Sequence, residues 1–65
     1  MNDTALLLTV EETSVLLSLG RTKVYELIAT GDLATVRIGR SRRIPRQAVE
    51  RYVSSLIEKA AILPI

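Results

Sequence analysis

The chain has 65 residues and a formal net charge of +2, and it contains neither cysteine nor histidine. A chain of this length forms one small domain with a modest core. Without cysteine, neither a disulfide nor a thiolate metal site can stabilise that core, and without histidine the commonest general base and metal ligand is missing. The composition therefore predicts a protein that is not an enzyme and that needs no metal, cofactor or small-molecule ligand.

The charges are unevenly distributed along the chain. Residues 21–51 carry eight cations and three anions, a net charge of +5, whereas the two flanking segments together carry one cation and four anions, a net charge of −3. Such asymmetry is typical of a domain with one face attracted to a polyanion. Because no apolar run approaches the roughly 18 residues needed to span a bilayer, we expect no membrane association and a cytoplasmic location.

The first segments predict an arm followed by a capped helix. Residues 1–7 are expected to form a flexible N-terminal arm. Thr9 and Glu12 have the spacing of a capping box, in which each side chain bonds the backbone amide of the other residue. The first helix then continues to about Ser18, and the small side chain of Ser14 on its inward face lets a second helix approach closely.

A second helix is predicted from Arg21 to Ala29, after a short turn. Apolar residues at helical spacing supply its inward face, namely Val24, Leu27 and Ile28. Gly31 is expected to end this helix in the left-handed conformation. Two short helices joined by a tight turn form the helix-turn-helix pattern, whose second helix normally enters the major groove of DNA.

An arginine-rich hairpin is predicted next. Thr35 to Ile38 alternates polar and apolar residues and predicts a strand. Residues 39–41 turn the chain, and Arg42 to Ile44 form the returning strand, with Ile44 toward the core. Five of the nine cations lie between residues 37 and 46. A run of one sign beside a helix-turn-helix favours contact with DNA over a merely solvated hairpin.

The last predicted element is a helix that Pro45 opens, where the missing amide of proline costs no hydrogen bond. Apolar residues recur along one face of this helix and predict the surface that covers the back of the domain. They are Ala48, Val49, Tyr52, Val53, Leu56, Ile57 and Ala60. The domain is therefore expected to span residues 8–60, and residues 61–65 to form an apolar C-terminal tail.

The order of these segments resembles the excisionase family of DNA-binding domains, which is related to the winged domain of MerR-type regulators. The resemblance covers about Leu8 to Leu56 and implies a mainly α winged helix-turn-helix of order α-α-β-β-α. The sequence departs from the family at Gly20, where serine is usual, near Ser18, where glycine is usual, and at Arg42. The matching segments are residues 8–12, 21–28, 31–33, 36–40 and 43–45.

Two groups of residues are the candidate DNA contacts. Those in the recognition helix are Arg21, Thr22, Lys23, Tyr25 and Glu26. Those in the wing are Arg37, Arg40, Ser41, Arg42 and Arg43.

Three candidate positions have roles that the residues alone leave open. Glu26 accepts a hydrogen bond from a cytosine amino group or simply pairs with Lys23. Tyr25 belongs to the core or reaches a phosphate, and the family resemblance favours the phosphate. Arg46 lies in the first turn of the third helix, where the helix dipole disfavours a cation, and this cost favours contact with the DNA backbone.

The resemblance implies an excisionase, or recombination directionality factor. Such a protein binds repeated sites in double-stranded DNA beside a phage attachment sequence, bends the DNA, and helps a phage integrase to choose excision in the bacterial host cytoplasm. We expect copies to associate on tandem DNA sites through the apolar ends, Leu6 to Leu8 and Ile62 to Ile65. Two alternatives stay open: a small MerR-like transcriptional regulator, and an adaptor whose basic hairpin binds an acidic protein.

Overall fold

The computed structural model describes residues 5–62, which form three helices and one three-stranded antiparallel sheet. The mainly α winged fold expected from the sequence is confirmed. No helix within these residues has the length and apolar character needed to cross a membrane. In chain order the elements are β1 (Leu7–Leu8), α1 (Val10–Leu17), α2 (Arg21–Ala29), β2 (Val36–Ile38), β3 (Ser41–Pro45) and α3 (Arg46–Ile62).

Helix α1 begins at the predicted capping box. The Glu12 amide donates to Thr9 Oγ1 at 3.0 Å, and the Thr9 amide donates to Glu12 Oε1 at 2.9 Å. The helix ends at Ser18, whose φ of 56° is the left-handed conformation that glycine adopts most easily. A glycine, which the family resemblance implies near this position, would adopt this conformation without strain.

Helix α2 has the predicted bounds and packs through Val24 and Leu27, both of which are buried. Gly20 is its N-cap and supplies no side-chain acceptor, as expected from the sequence. Thr30 closes the other end, and Gly31 follows with a φ of 86°, which confirms its predicted left-handed conformation. The chain then folds back so that the Leu33 amide donates to the Leu27 carbonyl at 3.1 Å.

The core draws on nearly every element. Its buried apolar residues are Leu8, Val24, Leu27, Leu33, Ile44 and Val49. Thr13 and Ser14 on α1 are also buried, and such small side chains let α1 and α2 pack closely, as predicted for Ser14. The Thr13 hydroxyl donates to the Thr9 carbonyl and the Ser14 hydroxyl to the Glu11 carbonyl, so neither polar group is left unsatisfied.

Strand β3 lies in the centre of the sheet, between β1 and β2. Leu7 and Leu8 pair with Pro45 and Ile44, respectively. The predicted arm boundary at residue 7 is therefore too late, because Leu7 already belongs to β1, and residues 1–4 of that arm lie outside the described residues. Pro45 ends β3 and does not open α3, since proline is tolerated at a strand end where no ladder amide is needed.

The apolar face of α3 covers the core only in its first half. Val49 is buried and Tyr52 packs against the core, as predicted. Beyond them, Val53, Leu56 and Ile57 are 37%, 43% and 63% exposed, which corrects the expectation that the whole stripe is covered. A helix of 17 residues is about 26 Å long, and the two short helices and small sheet cover only part of that length.

Candidate nucleic-acid interface

The predicted recognition-helix residues share one exposed surface of α2. Arg21, Thr22, Lys23, Tyr25 and Glu26 are all exposed. Because an α-helix turns about 100° per residue, Thr22 is the one of these five that points most directly away from buried Val24 and Leu27. Tyr25 and Glu26 lie on either side of Thr22, and Arg21 and Lys23 lie at the two margins of the exposed surface. This surface presents two cations, a hydroxyl, a phenol and a carboxylate, which together offer donors and acceptors to base edges.

The exposure and hydrogen bonding of the α2 side chains bear on the roles left open for Tyr25 and Glu26. Tyr25 is 58% exposed, so it does not belong to the core. Glu26 and Lys23 are not joined by a hydrogen bond within the described part of the chain. Both side chains therefore remain available at the surface of the helix.

The beginning of α2 is electrostatically suited to a phosphate. The first turn contains no acidic residue, and no side chain caps it. A helix N-terminus carries partial positive charge and amides without intrahelical partners. Arg21 and Lys23 add full positive charge at this end, where the dipole disfavours cations in the absence of an anion.

The wing is the hairpin formed by β2 and β3, and its turn is set by Gly39. Ile38 pairs with Ser41, so Gly39 and Arg40 are the two turn residues. Gly39 has a φ of 61°, whereas Arg40 has no positive φ. A positive φ at the first turn residue alone is the type II′ arrangement that suits the twist of a hairpin. The turn thus projects Arg40 at the exposed tip of the wing.

The register divides the wing into two faces. Arg37 lies directly opposite Arg42 on one face, and Val36 lies opposite Arg43 on the other. Like charges opposite each other in a sheet repel and destabilise the pairing. Within the described residues no hydrogen bond links Arg37, Arg40 or Arg42 to a carboxylate. The Arg37–Arg42 face therefore concentrates positive charge without an internal counterion in hydrogen-bond contact.

Arg43 has a different environment from the other wing arginines. It is half-buried, and its Nη1 donates to the Arg42 carbonyl at 2.9 Å. Hydrogen bonds from the Thr9 backbone amide and side chain hold the pKa of Glu12 below its ordinary value, and the Arg43 charge acts in the same direction. Arg43 thus interacts electrostatically with the first turn of α1 as well as facing the solvent.

Two apolar wing residues are exposed where an alternating strand would suggest burial. Val36 is 39% exposed and Ile38 is 58% exposed. They occupy the face of the hairpin opposite to that of Ile44, which is 1% exposed. The alternation from Thr35 to Ile38 places these two residues on one face of the strand, but alternation alone does not say which face is covered.

Arg46 is a half-buried candidate contact. Its Nε donates to the Ala5 carbonyl at 2.7 Å, and its backbone amide donates to the Leu6 carbonyl at 2.8 Å. Its Nη2 is buried and has no hydrogen-bond partner among residues 5–62. The partial negative charge of the two carbonyls offsets the dipole cost that suggested a DNA role for this residue. Ala5 and Leu6 act through backbone oxygens, which leave no side-chain signature in the sequence.

Comparison with known proteins agrees with this architecture. Residues 7–56 match the family model described as a helix-turn-helix domain. The chain is 59% identical over 51 residues to a protein of Saccharopolyspora erythraea named "Probable excisionase", covering 78% of this chain and 52% of that protein. It is 43% identical over 54 residues to a protein of Streptomyces ambofaciens named "Excisionase", covering 83% and 87%.

The chain thus spans about half the length of the first relative and most of the second. No solved structure matches it. The family match covers well over half of the chain and includes α1, α2, the wing and the first part of α3. The chain therefore belongs to the excisionase family of helix-turn-helix DNA-binding proteins.

Proposed function

We propose that the chain is an excisionase, a recombination directionality factor that binds duplex DNA and performs no chemistry itself. The observation that carries the proposal is the pairing of two cationic surfaces in one helix-turn-helix domain. The first is the exposed face of α2, and the second is the wing with Arg40 at its tip. The names of its relatives support the role in excision.

We assign sequence readout to α2. Its exposed face has the size and shape that the major groove of B-DNA admits. Arg21 and Lys23 at its beginning can donate to guanine or to phosphate, and Glu26 one turn further can accept from cytosine. Thr22 and Tyr25 supply hydroxyl groups on the same exposed face, with Tyr25 directed to a phosphate.

We assign backbone and minor-groove contact to the wing. Arg37, Arg40 and Arg42 are exposed, Ser41 lies beside the turn, and Arg43 is half-buried. Arginine is favoured in a narrow minor groove because the negative potential is strongest there. An anion between Arg37 and Arg42 would also relieve their mutual repulsion. Wing contacts of this kind would position the domain and bend the duplex without reading a sequence.

In the proposed role, these DNA contacts assist a partner recombinase in the host cytoplasm. Copies of the protein would bind adjacent sites beside a phage attachment sequence and shape the DNA so that an integrase excises the prophage. One small domain reads only a few base pairs, so several associated copies are needed to define a genomic site. We assign this association to exposed Leu6 and Leu7 and to the exposed apolar residues of α3.

The experiment that tests this function is selection from random duplex DNA, followed by footprinting and binding at several salt concentrations. If four to six phosphates are neutralised, the log–log slope of affinity against salt should be roughly −4 to −5 per protomer. Direct repeats beside an attachment core, with stimulation of integrase-catalysed excision, would support the excisionase role. A slope near zero would instead indicate an adaptor, and sites confined to promoters would indicate a transcriptional regulator.

The selected site also tests the division of roles. Arg21→Ala or Lys23→Ala should change the preference at particular bases, by about 1–3 kcal/mol for a lost bidentate contact. Arg40→Ala should weaken binding to all sequences similarly. An equal loss across all sequences for the α2 variants would limit this helix to phosphate contacts.

A further inference from the structure

Arg46 sits at the junction of three elements. It follows Pro45, the last residue of β3, and begins α3. Through its backbone amide and its Nε it binds the Leu6 and Ala5 carbonyls, which precede β1. The amide bond continues the β1–β3 register by one residue, because Leu7 pairs with Pro45 and Leu6 comes next. One residue therefore holds the N-terminal segment to the base of the wing.

The orientation of the guanidinium argues against a phosphate role. Nε is already bonded at 2.7 Å to a backbone oxygen, and Nη2 is buried with no hydrogen-bond partner in the described part of the chain. A DNA phosphate can form a bidentate contact with an arginine only if two of its N–H donors are exposed. By contrast, Arg42 on the wing is an exposed residue.

We infer that Arg46 is a positioning residue for DNA binding, which clamps residues 5 and 6 to β3 and so fixes the base of the wing. The part of this inference that concerns DNA binding rests on the proposed function. β1 has only two residues, so it contributes few ladder bonds of its own. The Arg46 bonds extend that contact, and β3 in turn sets Arg42 opposite Arg37. A loosened β1 would therefore weaken DNA binding by letting the cationic strand move.

Arginine is required here, and a positive charge alone is not enough. The Nε–H lies on the rigid guanidinium plane and reaches a backbone carbonyl beside the stem, whereas lysine carries only a terminal ammonium. Lysine at this position would keep the charge but lose the bond to the Ala5 carbonyl. This distinction separates a clamp from a phosphate contact, because a phosphate contact accepts either cation in part.

The test compares Arg46→Lys and Arg46→Gln with Arg42→Lys and Arg42→Gln as matched controls in the full chain. Two quantities are measured: the salt dependence of affinity for a selected duplex, and the hydrogen exchange of the amide at position 46. Both Arg46 variants should lose about tenfold or more in protection of that amide, as expected for loss of a bond made by a charged donor. Their affinity should fall while the salt slope stays at the wild-type value.

The controls should behave in the opposite way. Arg42→Gln should reduce the magnitude of the salt slope by about 0.9, Arg42→Lys should retain it, and neither should change exchange at position 46. The clamp is overturned if Arg46→Lys binds like wild type while Arg46→Gln loses about 0.9 of slope. Unchanged exchange at position 46 in Arg46→Lys, the milder variant, also overturns it.

The clamp and the DNA-binding function can be tested separately. If the wild-type chain binds no duplex, the proposed function fails, but exchange at position 46 still tests the clamp without DNA. If Arg46→Gln does not fold, Arg46→Lys decides the question by the same two measurements. Faster exchange in Arg46→Lys, together with lower affinity and an unchanged salt slope, supports the clamp in full.

Discussion

Arg37 and Arg42 illustrate how a binding residue can oppose the stability of its own fold. Each has the other directly across the β2–β3 ladder. A cross-strand pair of like charges costs a few tenths of a kcal/mol or more relative to a neutral pair. A polyanion placed against this face would remove the repulsion. The same two side chains should therefore destabilise the unbound domain and stabilise its complex.

The first prediction tests whether Arg42 lowers the stability of the unbound domain while it strengthens DNA binding. Arg42→Thr should raise the free energy of unfolding by about 0.2–1 kcal/mol at low salt, because it removes the repulsion and threonine favours strands. The same change should weaken duplex binding. Thermal denaturation and gel-shift titration measure the two effects. As a control, Arg51→Thr alters an exposed arginine in α3, away from the wing, and should not stabilise the protein. A loss of stability in Arg42→Thr would contradict the argument.

At the scale of elements, Gly39 and Gly20 both border the proposed interface, but they differ in backbone conformation. Gly39 has a φ of 61° in the wing turn, a conformation that costs other residues roughly 1–2 kcal/mol. Gly20 caps α2 with a φ of −70°, which any residue adopts. An added Cβ would meet no atom within 4 Å at either position. Their difference is therefore one of backbone conformation and not of space.

The second prediction follows from that difference. Gly39→Ala should destabilise the domain by about 1 kcal/mol and lower DNA affinity through a distorted wing. Gly20→Ser should be neutral or stabilising by a few tenths of a kcal/mol, because serine supplies the missing capping oxygen. Chemical denaturation of both variants measures the contrast. Equal destabilisation by the two changes would show that neither the turn type nor the cap explains these glycines.

The third prediction concerns the capping box of α1. Hydrogen bonds from Thr9, and secondarily the charge of Arg43, hold the folded-state pKa of Glu12 below its ordinary value of 4.5. Ionised Glu12 therefore contributes stability above that value, and the contribution is lost as the pH falls through the folded pKa. Glu12→Gln keeps an acceptor oxygen but cannot ionise. The advantage of wild type over Glu12→Gln in thermal denaturation should shrink below pH 4.5.

A neighbouring carboxylate provides the control for this pH dependence. Glu11→Gln removes a charge from the same helical turn, but leaves both capping-box bonds in place. Its stability difference from wild type measures the general effect of one first-turn charge. If that difference changes with pH as much as the Glu12→Gln difference does, the capping box is not the origin of the effect.

The elements themselves could largely be predicted from local sequence. Thr9 and Glu12 mark the start of α1, and Gly31 marks the end of α2, because capping and left-handed backbone depend on a few adjacent residues. The role of Leu8 could not be predicted in this way. Its burial depends on pairing with Ile44, and a two-residue strand carries too little periodicity to indicate a partner distant in sequence.

The residues of the candidate site also differ in how far the local sequence predicts their environment. The exposed face of α2 could be predicted, since three apolar residues at helical spacing define which side is outside. The environment of Arg46 could not, because its partners are the backbone carbonyls of residues 5 and 6. Only the first half of α3 is buried, because the other elements cover only part of its length. The sequence of the helix itself does not indicate how much of it they cover.

At the scale of the whole molecule, the fold leaves apolar surface that the core does not use. Leu6 is 78% exposed and Ile57 is 63% exposed. Leu8, however, is part of the core, so it is not available for contact between copies as the sequence suggested. The predicted tail contact at Ile62 to Ile65 lies outside the residues whose side chains the structure describes. Contacts between unlike surfaces of neighbouring copies would extend along DNA and would not close into a dimer.

The fourth prediction tests association of copies on DNA. Leu6→Gln and Ile57→Gln should lower cooperativity on tandem sites by about tenfold if each removes a contact worth roughly 1.4 kcal/mol, while single-site affinity stays near wild type. Val15→Gln, at an apolar residue of α1 that is 57% exposed, controls for a general change in surface polarity. Gel-shift titration of one-site and two-site duplexes measures both quantities. Independent filling of tandem sites by the wild-type protein would contradict association, because apolar contacts between neighbours must make the second binding event tighter than the first.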